Sequence, residues 1–483
     1  MERLTQRAVE EALRAGADYA DARIVRLSQE RLGVRNGALR LADAPEEFGI
    51  GVRAMKDGCW GFAAAPGLPA ALVEILPGVA RRAFKAARDL GSARRRPIQL
   101  SEERGHVGEY HTPVEEDPFR IPLSEKIELL RAAEAATHCR SEVVAGESML
   151  SLRREEQWQS SSEGARLHQV LVRVGAHVTA TAAANGHVEL RSHPAYGGQY
   201  LSGGYEHVRR MDLLGAAPRM GEEAVALCHA PTCPAGERTM ILGGSQLALQ
   251  IHESVGHPSE MDRVQGHEID FAGASFLRPE AKGDLQYGSE HVNLEANCTL
   301  EHGLDTRGWD DEGVPSQRWP IVDRGRFVGF FTDREFASAA GETHSRGSSR
   351  AEGWYNPPIV RIPNLSLLPG EWDLEALLAD TEDGALLVDG IRTWSIDQRR
   401  VNFQFTCQAA WEVQGGKPGR LLRAPTYQGR TLDFWRGCDA VCRPDSFEVF
   451  GVPNCGKGNP YQIAEMSHGA APARFRGVTF VGA

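Results

Sequence analysis

No apolar run in this sequence approaches the ~18–20 residues that span a bilayer as a helix. Its opening, Met1-Glu2-Arg3-Leu4-Thr5-Gln6-Arg7, has no apolar core of the secretory kind. The expectation is a chain outside the membrane, without a leader. Basic charge is not in surplus: 54 Lys+Arg stand against 65 Asp+Glu, a formal net charge of −11. Such a chain is repelled by phosphate backbones, which argues against a nucleic-acid partner. The basic run Arg94-Arg95-Arg96 ends at Pro97 and reads as a solvated helix end. Gly203-Gly204 is followed by no Lys-Ser/Thr pair, so no phosphate loop is supported. The nine cysteines are odd in number and scattered from Cys59 to Cys455. That scatter excludes a disulfide framework and fits a reducing compartment, so the expected location is the cytoplasm.

A chain of 483 residues is too long for one core. Ala8, Val9, Ala12 and Leu13 share one face of a helix expected from Glu2 to Ala15. Asn36-Gly37, Asp57-Gly58 and Asn185-Gly186 sit between strand-like runs and predict tight hairpins. A helix through Leu72, Val79 and Phe84 is expected to break at Pro77, and one over Leu213 to Leu227 at Pro218. Residues 92–120 read as a connection. A second helix is expected near Ser124 to His138, then separate strands at Leu167 to Val174 and Val178 to Ala182. From about residue 290 the chain reads as mostly β. The expected class is α+β, with an N-terminal α/β domain over 1–230 and a β-rich domain over 231–483. The first domain divides into helix-plus-hairpin units at 1–120 and 121–230.

The chemistry concentrates in His252-Glu253-Ser254-Val255-Gly256-His257. It follows a helix-forming run, Gln246 to Ile251, with Ser245 as an expected N-cap. Two neutral imidazoles can hold a zinc ion while a carboxylate beside them handles the proton of a water. In the common His-Glu-x-x-His pattern the histidines stand at i and i+4, on one helix face. Here they stand at i and i+5, about 140° apart on a regular helix at ~100° per residue. Both reach one ion only if the helix ends or widens to a π-type turn near Gly256, which Gly256 permits and Pro258 favours. A chain with 16 histidines also produces such a spacing by chance. Two histidines hold zinc weakly, so a third ligand is expected: Glu260, Asp262 or His267 nearby, or the distant Cys455. Around Cys455, Pro453, Gly456 and Gly458 read as a tight turn, and Lys457 as a cation that keeps the sulfur ionised. Cys438 with Cys442, and Cys228-His229 with Cys233, lack the second pair of a zinc site. Asp310-Asp311-Glu312 is either a peptide-amine contact, with Asp311 and Glu312 the candidates for binding substrate, or the solvated face of a turn.

The segment Ile251-His252-Glu253-Ser254-Val255-Gly256-His257, then Asp310-Asp311-Glu312-Gly313-Val314-Pro315, then Asn454-Cys455-Gly456-Lys457-Gly458, resembles the TldD/PmbA family of metalloproteases, its TldD-type subunit in particular. Gly16-Ala17-Asp18-Tyr19-Ala20-Asp21-Ala22-Arg23, Val34-Arg35-Asn36-Gly37, Gly51-Val52-Arg53 and Gly61-Phe62-Ala63 are similar to that family's opening pattern. The resemblance implies a zinc peptidase acting on unfolded or flexible peptides, among them precursors of modified peptide antibiotics and labile antitoxin-type proteins. It implies one zinc per chain on His252, His257 and Cys455, with Glu253 as general base. It also implies an α/β domain followed by a β-rich one, and a dimer formed with an identical chain or a motif-less relative. Residues 259–300 depart from the pattern and inherit nothing. The rival is a non-hydrolytic regulator, such as a modulator of DNA gyrase, or a peptide-binding module. A structural metal has no need of a carboxylate beside its first histidine, which favours hydrolysis.

Overall fold

Three two-residue turns set the hairpins of the N-terminal half. Asn36 and Gly37 have φ of 49° and 74°, Asp57 and Gly58 50° and 70°, Asn185 and Gly186 52° and 77°. Two successive positive φ angles make the tight turn that matches the twist of paired strands, and Asn, Asp and Gly tolerate them best. The computed structural model describes residues 1–91 and 97–482, so the run Arg94–Arg96 lies outside the described residues.

Both helix-and-hairpin units share one nine-stranded sheet. Strand Tyr19–Arg35 pairs antiparallel with Val143–Ser161 from Asp21↔Ser161 to Arg35↔Glu147 and joins them. Helices Glu2–Ala15 and Pro69–Gly91 cover the first unit, with Ala8, Ala12, Leu72, Leu76 and Val79 against Ile24, Ile50 and Val52. Helices Leu123–Ala136 and Leu213–His229 lie on the second, through Leu130 and Ala217 against Leu150 and Val174.

Several expectations are corrected here. Pro77 and Pro218 lie inside continuous helices. Each proline orphans the carbonyl four residues earlier; those residues, Val73 and Leu214, lie on the exposed face of their helices, where the loss of one bond is best tolerated. The connection expected over 92–120 contains a strand, Val107–His111, added in parallel to Arg166–Ala184. That partner is one strand through Leu167 and Ala182, not two. Ser245 does not cap the motif helix, which starts at Gly244 after Gly243.

In the C-terminal half, strands Gly236–Leu242, Leu386–Ile396, Asn402–Gln414, Thr426–Arg430 and Ala473–Val481 are neighbours in that order. The first and last also pair, from Gly236↔Phe480, and the sheet closes on itself. Helix Gly244–Ile251 is buried from Ser245 onward. Its Leu247 and Ile251 share a core with Met240, Val388, Phe405 and Phe475. Gln246 donates to the Tyr427 hydroxyl at 3.1 Å, which donates to Gln250 at 3.0 Å, fixing the helix's rotation. The fold is α+β with mainly antiparallel sheets. Among the described residues, no helix is long and apolar enough to cross a membrane.

Candidate metal centre

The motif helix widens where its spacing requires. Residues His252–Gly256 form one π turn, closed by the His257 N–H donating to the His252 carbonyl, and His257–Ser259 form a single 3₁₀ turn. That i→i+5 bond stacks residue 257 over residue 252, and the two imidazole centroids stand 4.7 Å apart. Ser254, at the bulge, is pinned from outside. Trp435 Nε1 donates to its Oγ at 2.9 Å, that Oγ donates to the Gln250 carbonyl at 2.5 Å, and the Tyr287 hydroxyl donates to its carbonyl. At Gly256 a Cβ would stand 2.8 Å from Ile362 Cδ1.

The third donor arrives from far along the chain. His252, His257 and Cys455 place one ligand atom each within 4.8 Å of one another, all buried. His257 Nε2 lies 3.6 Å from Cys455 Sγ. Zinc bonds of ~2.05 Å to nitrogen and ~2.3 Å to sulfur at a tetrahedral angle give an N···S separation of about 3.6 Å. The donor set therefore fits zinc. Cys455 sits within strand Glu448–Lys457, paired with Gln462–Ala470, and not in a tight turn. A register shift between Val452 and Cys455 absorbs Pro453, which has no N–H for the ladder.

Partners on the far side of each ring fix the tautomers. The Leu365 carbonyl only accepts, so His468 carries its proton on Nδ1, 2.9 Å away. Its Nε2 must then accept from His252 Nδ1 at 2.8 Å, leaving the His252 Nε2 lone pair free. His257 Nδ1 donates to Glu260 at 2.9 Å, leaving its Nε2 toward Cys455. Such outer partners orient ligand rings. Burial holds His252 and His257 below the ordinary imidazole range and His468 well below it, so all three stay neutral, as ligands and relay require. Burial pushes the Cys455 thiol up, but His257 and Arg361 outweigh it and bring it below its ordinary value. Lys457 plays no such part. Its Nζ donates to Glu260 at 3.1 Å, Asp262 at 2.7 Å and the Val360 carbonyl at 2.6 Å. Burial works against the Glu260 carboxylate, but Lys457, His257 and Arg263 keep it ionised, well below the usual range.

Glu253 is buried, and its carboxylate takes no hydrogen bond from the described residues. Of the nearby candidates for third ligand, Glu260 is the hydrogen-bond partner of His257 and Asp262 pairs with Lys457. His267 is exposed, its ring edge-on to Phe336. Asp310, Asp311 and Glu312 are buried, so the acidic run is no solvated face. Asp311 meets Arg23 at 3.4 Å and Gln157 at 2.8 Å; Glu312 meets Arg53 at 3.0 Å and the Arg334 N–H at 2.8 Å. Glu312 also lines a cavity of about 360 Å³ with Trp60, Phe62, Asp262 and Glu268. Three of the cysteines set aside above behave in the opposite sense to Cys455: burial pushes Cys438 up to about 12, and Cys442 and Cys233 to about 11. All nine are free thiols. Sequence reasoning missed His468, Arg361 and the part of Glu260, because no local pattern marks a residue that touches a ligand only through the fold. It also missed Glu109, His111 and His168, a surface cluster in which the first two are exposed.

Fold and site together define a class: α+β chains in which a His-Glu-x-x-x-His helix is completed by a thiol from a distant hairpin. Residues 235–482 match the domain described as the PmbA/TldA metallopeptidase C-terminal domain, 20–87 match domain 1, and 116–227 the central domain. The chain belongs to the TldD/PmbA family of metallopeptidases. It is 27% identical over 454 residues to Metalloprotease MJ0996 of Methanocaldococcus jannaschii, covering 93% of this chain and 94% of that one. It is 23% identical over 447 residues to the Metalloprotease TldD homolog of Haemophilus influenzae, covering 91% and 88%. Over 242 residues it is 28% identical to the Zinc metalloprotease TldD homolog of Saccharolobus solfataricus, covering 49% and 50%. The fold is shared with TldE from Thermococcus kodakarensis at a TM-score of 0.69 and 16% identity, covering 99% of this chain and 100% of that one. A Thermotoga maritima protein described as a candidate modulator of a DNA gyrase superposes at 0.75 with 17% identity, covering 99% and 100%.

Proposed function

We propose that this chain is a zinc-dependent peptidase acting on flexible peptides, with His252, His257 and Cys455 as ligands and Glu253 as general base. One observation carries the reading. Three donor atoms of zinc-compatible type and spacing converge with both imidazole tautomers fixed, and the next residue after His252 is a buried carboxylate without a hydrogen-bond partner among the described residues. The name of the Saccharolobus relative specifies zinc, in keeping with this donor set. Zinc bound here would act as a Lewis acid on the scissile carbonyl and lower the pKa of water. Glu253, without a hydrogen bond among the described residues, accepts the proton of the attacking water and passes it to the leaving amine nitrogen. His468 and Glu260 keep the two imidazole lone pairs aimed inward throughout. With the reading goes a dimer, formed with an identical chain or a motif-less relative, within a reducing compartment such as the cytoplasm.

The rival readings, a gyrase modulator or a peptide-binding module, predict no turnover. Purified protein should hold about one zinc per chain and cleave an unstructured peptide, and a chelator should abolish cleavage. Glu253→Gln should keep its zinc and its peptide affinity while turnover falls by roughly 10²–10⁴-fold. Substantial cleavage by zinc-loaded Glu253→Gln would overturn the assignment of the base, and zinc loss would move Glu253 among the ligands.

A further inference from the structure

Two arginines exert their field on His252, Arg400 and Arg361. Arg361 is buried and spent on the fold: Nη1 donates to the Gln462 carbonyl at 3.0 Å and Nη2 to the Cys455 carbonyl. Arg400 differs. It stands at the tip of the hairpin between strands Leu386–Ile396 and Asn402–Gln414, partly buried. It makes no ion pair among the described residues, and its Nε is buried without a hydrogen-bond partner. Its one side-chain hydrogen bond is a 3.3 Å contact from Nη1 to the Asp397 carbonyl.

The tip is held against the metal centre from several sides. Ala274 N–H donates to the Gln398 carbonyl at 2.9 Å and Phe276 N–H to the Arg399 carbonyl at 3.0 Å. The same stretch is tied to the end of the motif helix, since Ser275 Oγ donates to the Pro258 carbonyl at 2.7 Å and Arg263 Nη1 to the Ala272 carbonyl at 2.6 Å. The Thr431 hydroxyl fixes the Arg400 carbonyl at 2.6 Å. Arg400 itself holds a φ of 65°, a left-handed conformation that a non-glycine residue keeps only where its surroundings impose it. Of the charged groups acting on Arg400, Glu253 is the strongest, followed by Arg263, Glu260 and Cys455.

We propose that Arg400 is a catalytic residue, donating an N–H to the oxygen of the scissile carbonyl as that oxygen takes on negative charge. The inference rests on the peptidase reading above and deepens it. A guanidinium stays charged and carries donors in a fixed fork, so it suits an oxyanion. The stretch 272–276 ties the tip that carries Arg400 to the end of the motif helix, which brings its guanidinium toward the centre where Glu253 handles the proton. A clamp on the substrate's terminal carboxylate would lie at least one residue, ~3.3 Å of extended chain, away. In the reaction the water oxygen bonds to the carbonyl carbon, the C–N bond breaks, and the proton travels through Glu253 to the amine nitrogen. Arg400 gives up no proton.

The test compares wild-type protein with Arg400→Ala and Arg400→Lys, each checked for folding by circular dichroism and for zinc content. The probes are a peptide that the wild type cleaves, the same peptide with an amidated C-terminus, and a phosphinic analogue that mimics the tetrahedral oxyanion. Arg400→Ala should retain its zinc and lose about 10²–10³-fold in kcat, the usual cost of one oxyanion donor, with KM changed less than threefold. Its affinity for the phosphinic analogue should fall by a similar factor. Peptide affinity in a Glu253→Gln background should hold within threefold, and Arg400→Lys should recover part of the loss. Equal losses for analogue and peptide would overturn the proposal. So would a loss confined to the peptide with a free C-terminus, which would make Arg400 a carboxylate clamp. An acid limb of the pH–rate profile that shifts while analogue affinity holds would make it a counter-ion of Glu253. A wild type without zinc-dependent cleavage sinks the peptidase reading itself, whereas an active wild type with an equally active Arg400→Ala sinks only this proposal.

Discussion

At the residue scale, the groups that hold the proposed ligands are as telling as the ligands themselves. Buried His468 accepts from His252 and donates to the Leu365 carbonyl. His468→Phe and Glu260→Gln should each weaken zinc by ~10–100-fold in a competition titration, the usual effect of losing an outer partner. Cys455→Ala should lose both metal and turnover, while Asp262→Ala and His267→Ala keep their zinc. Retention of zinc by Cys455→Ala, with loss in one of the others, would remove the thiol from the ligand set. His468 also gives the metal-free protein a pH signature. Burial holds its folded pKa well below 6.5, so the unfolded chain binds a proton that the folded one refuses. Stability tied to this group is full above pH 6.5 and lost as pH falls below it. In His468→Phe that acid loss should be shallower by up to ~1.4 kcal/mol per pH unit, read from urea titrations between pH 7 and 5.

At the scale of elements, the π turn decides whether the motif works. Gly256 has an ordinary φ, so its constraint is space. A side chain there meets Ile362 within the core, and overpacking of this kind costs about 1–3 kcal/mol. Gly256→Val should lower the melting temperature and also lower zinc occupancy, because the turn that stacks His257 over His252 must shift. A destabilised variant with full zinc would show that the turn tolerates the strain. This element was legible in advance: an i, i+5 pair flanked by Gly256 and Pro258 demands a widened or ending helix, and spacing is a local property. The tight turns at Asn36-Gly37 and its two counterparts were legible for the same reason. The stretch 453–458 was not. Its Pro and Gly residues suggest a turn, and Gly458 does begin one with a φ of 89°, yet a shifted register lets a strand carry Pro453, Cys455 and Gly456, and only the partner strand Gln462–Ala470 reveals it. Pro77 and Pro218 misled likewise, since the residues four before them lie on exposed helix faces, which sequence does not record. His468, Glu260 and Arg400 gain their meaning from side chains brought together by tertiary structure.

At the scale of the whole molecule, the N-terminal sheet grips the elements that complete the site. Arg173 meets Glu465 at 2.8 Å and Arg153 meets it at 3.5 Å, so strands Arg166–Ala184 and Val143–Ser161 hold the hairpin that carries Cys455 and His468. Arg23, on strand Tyr19–Arg35, reaches across to Asp311, its only carboxylate partner among the described residues. Asp311→Ala leaves that guanidinium buried with backbone carbonyls alone, and breaking a buried pair in this way costs about 3–5 kcal/mol. The expected result is a lower melting temperature with zinc affinity and KM unchanged in the folded fraction. A raised KM at unchanged melting temperature would instead make Asp311 a substrate contact.

The separation of the ligands along the chain has a consequence for biosynthesis. His257 and Cys455 are 198 residues apart, and the hairpin bearing the thiol packs under arginines from the N-terminal sheet. A ribosome that has delivered the motif helix has made a chain with two of its three donors and no means of supplying the third. On the proposed reading, such a chain emerges inert beside its unfolded neighbours, and it becomes able to cut flexible peptides only once it has stopped being one.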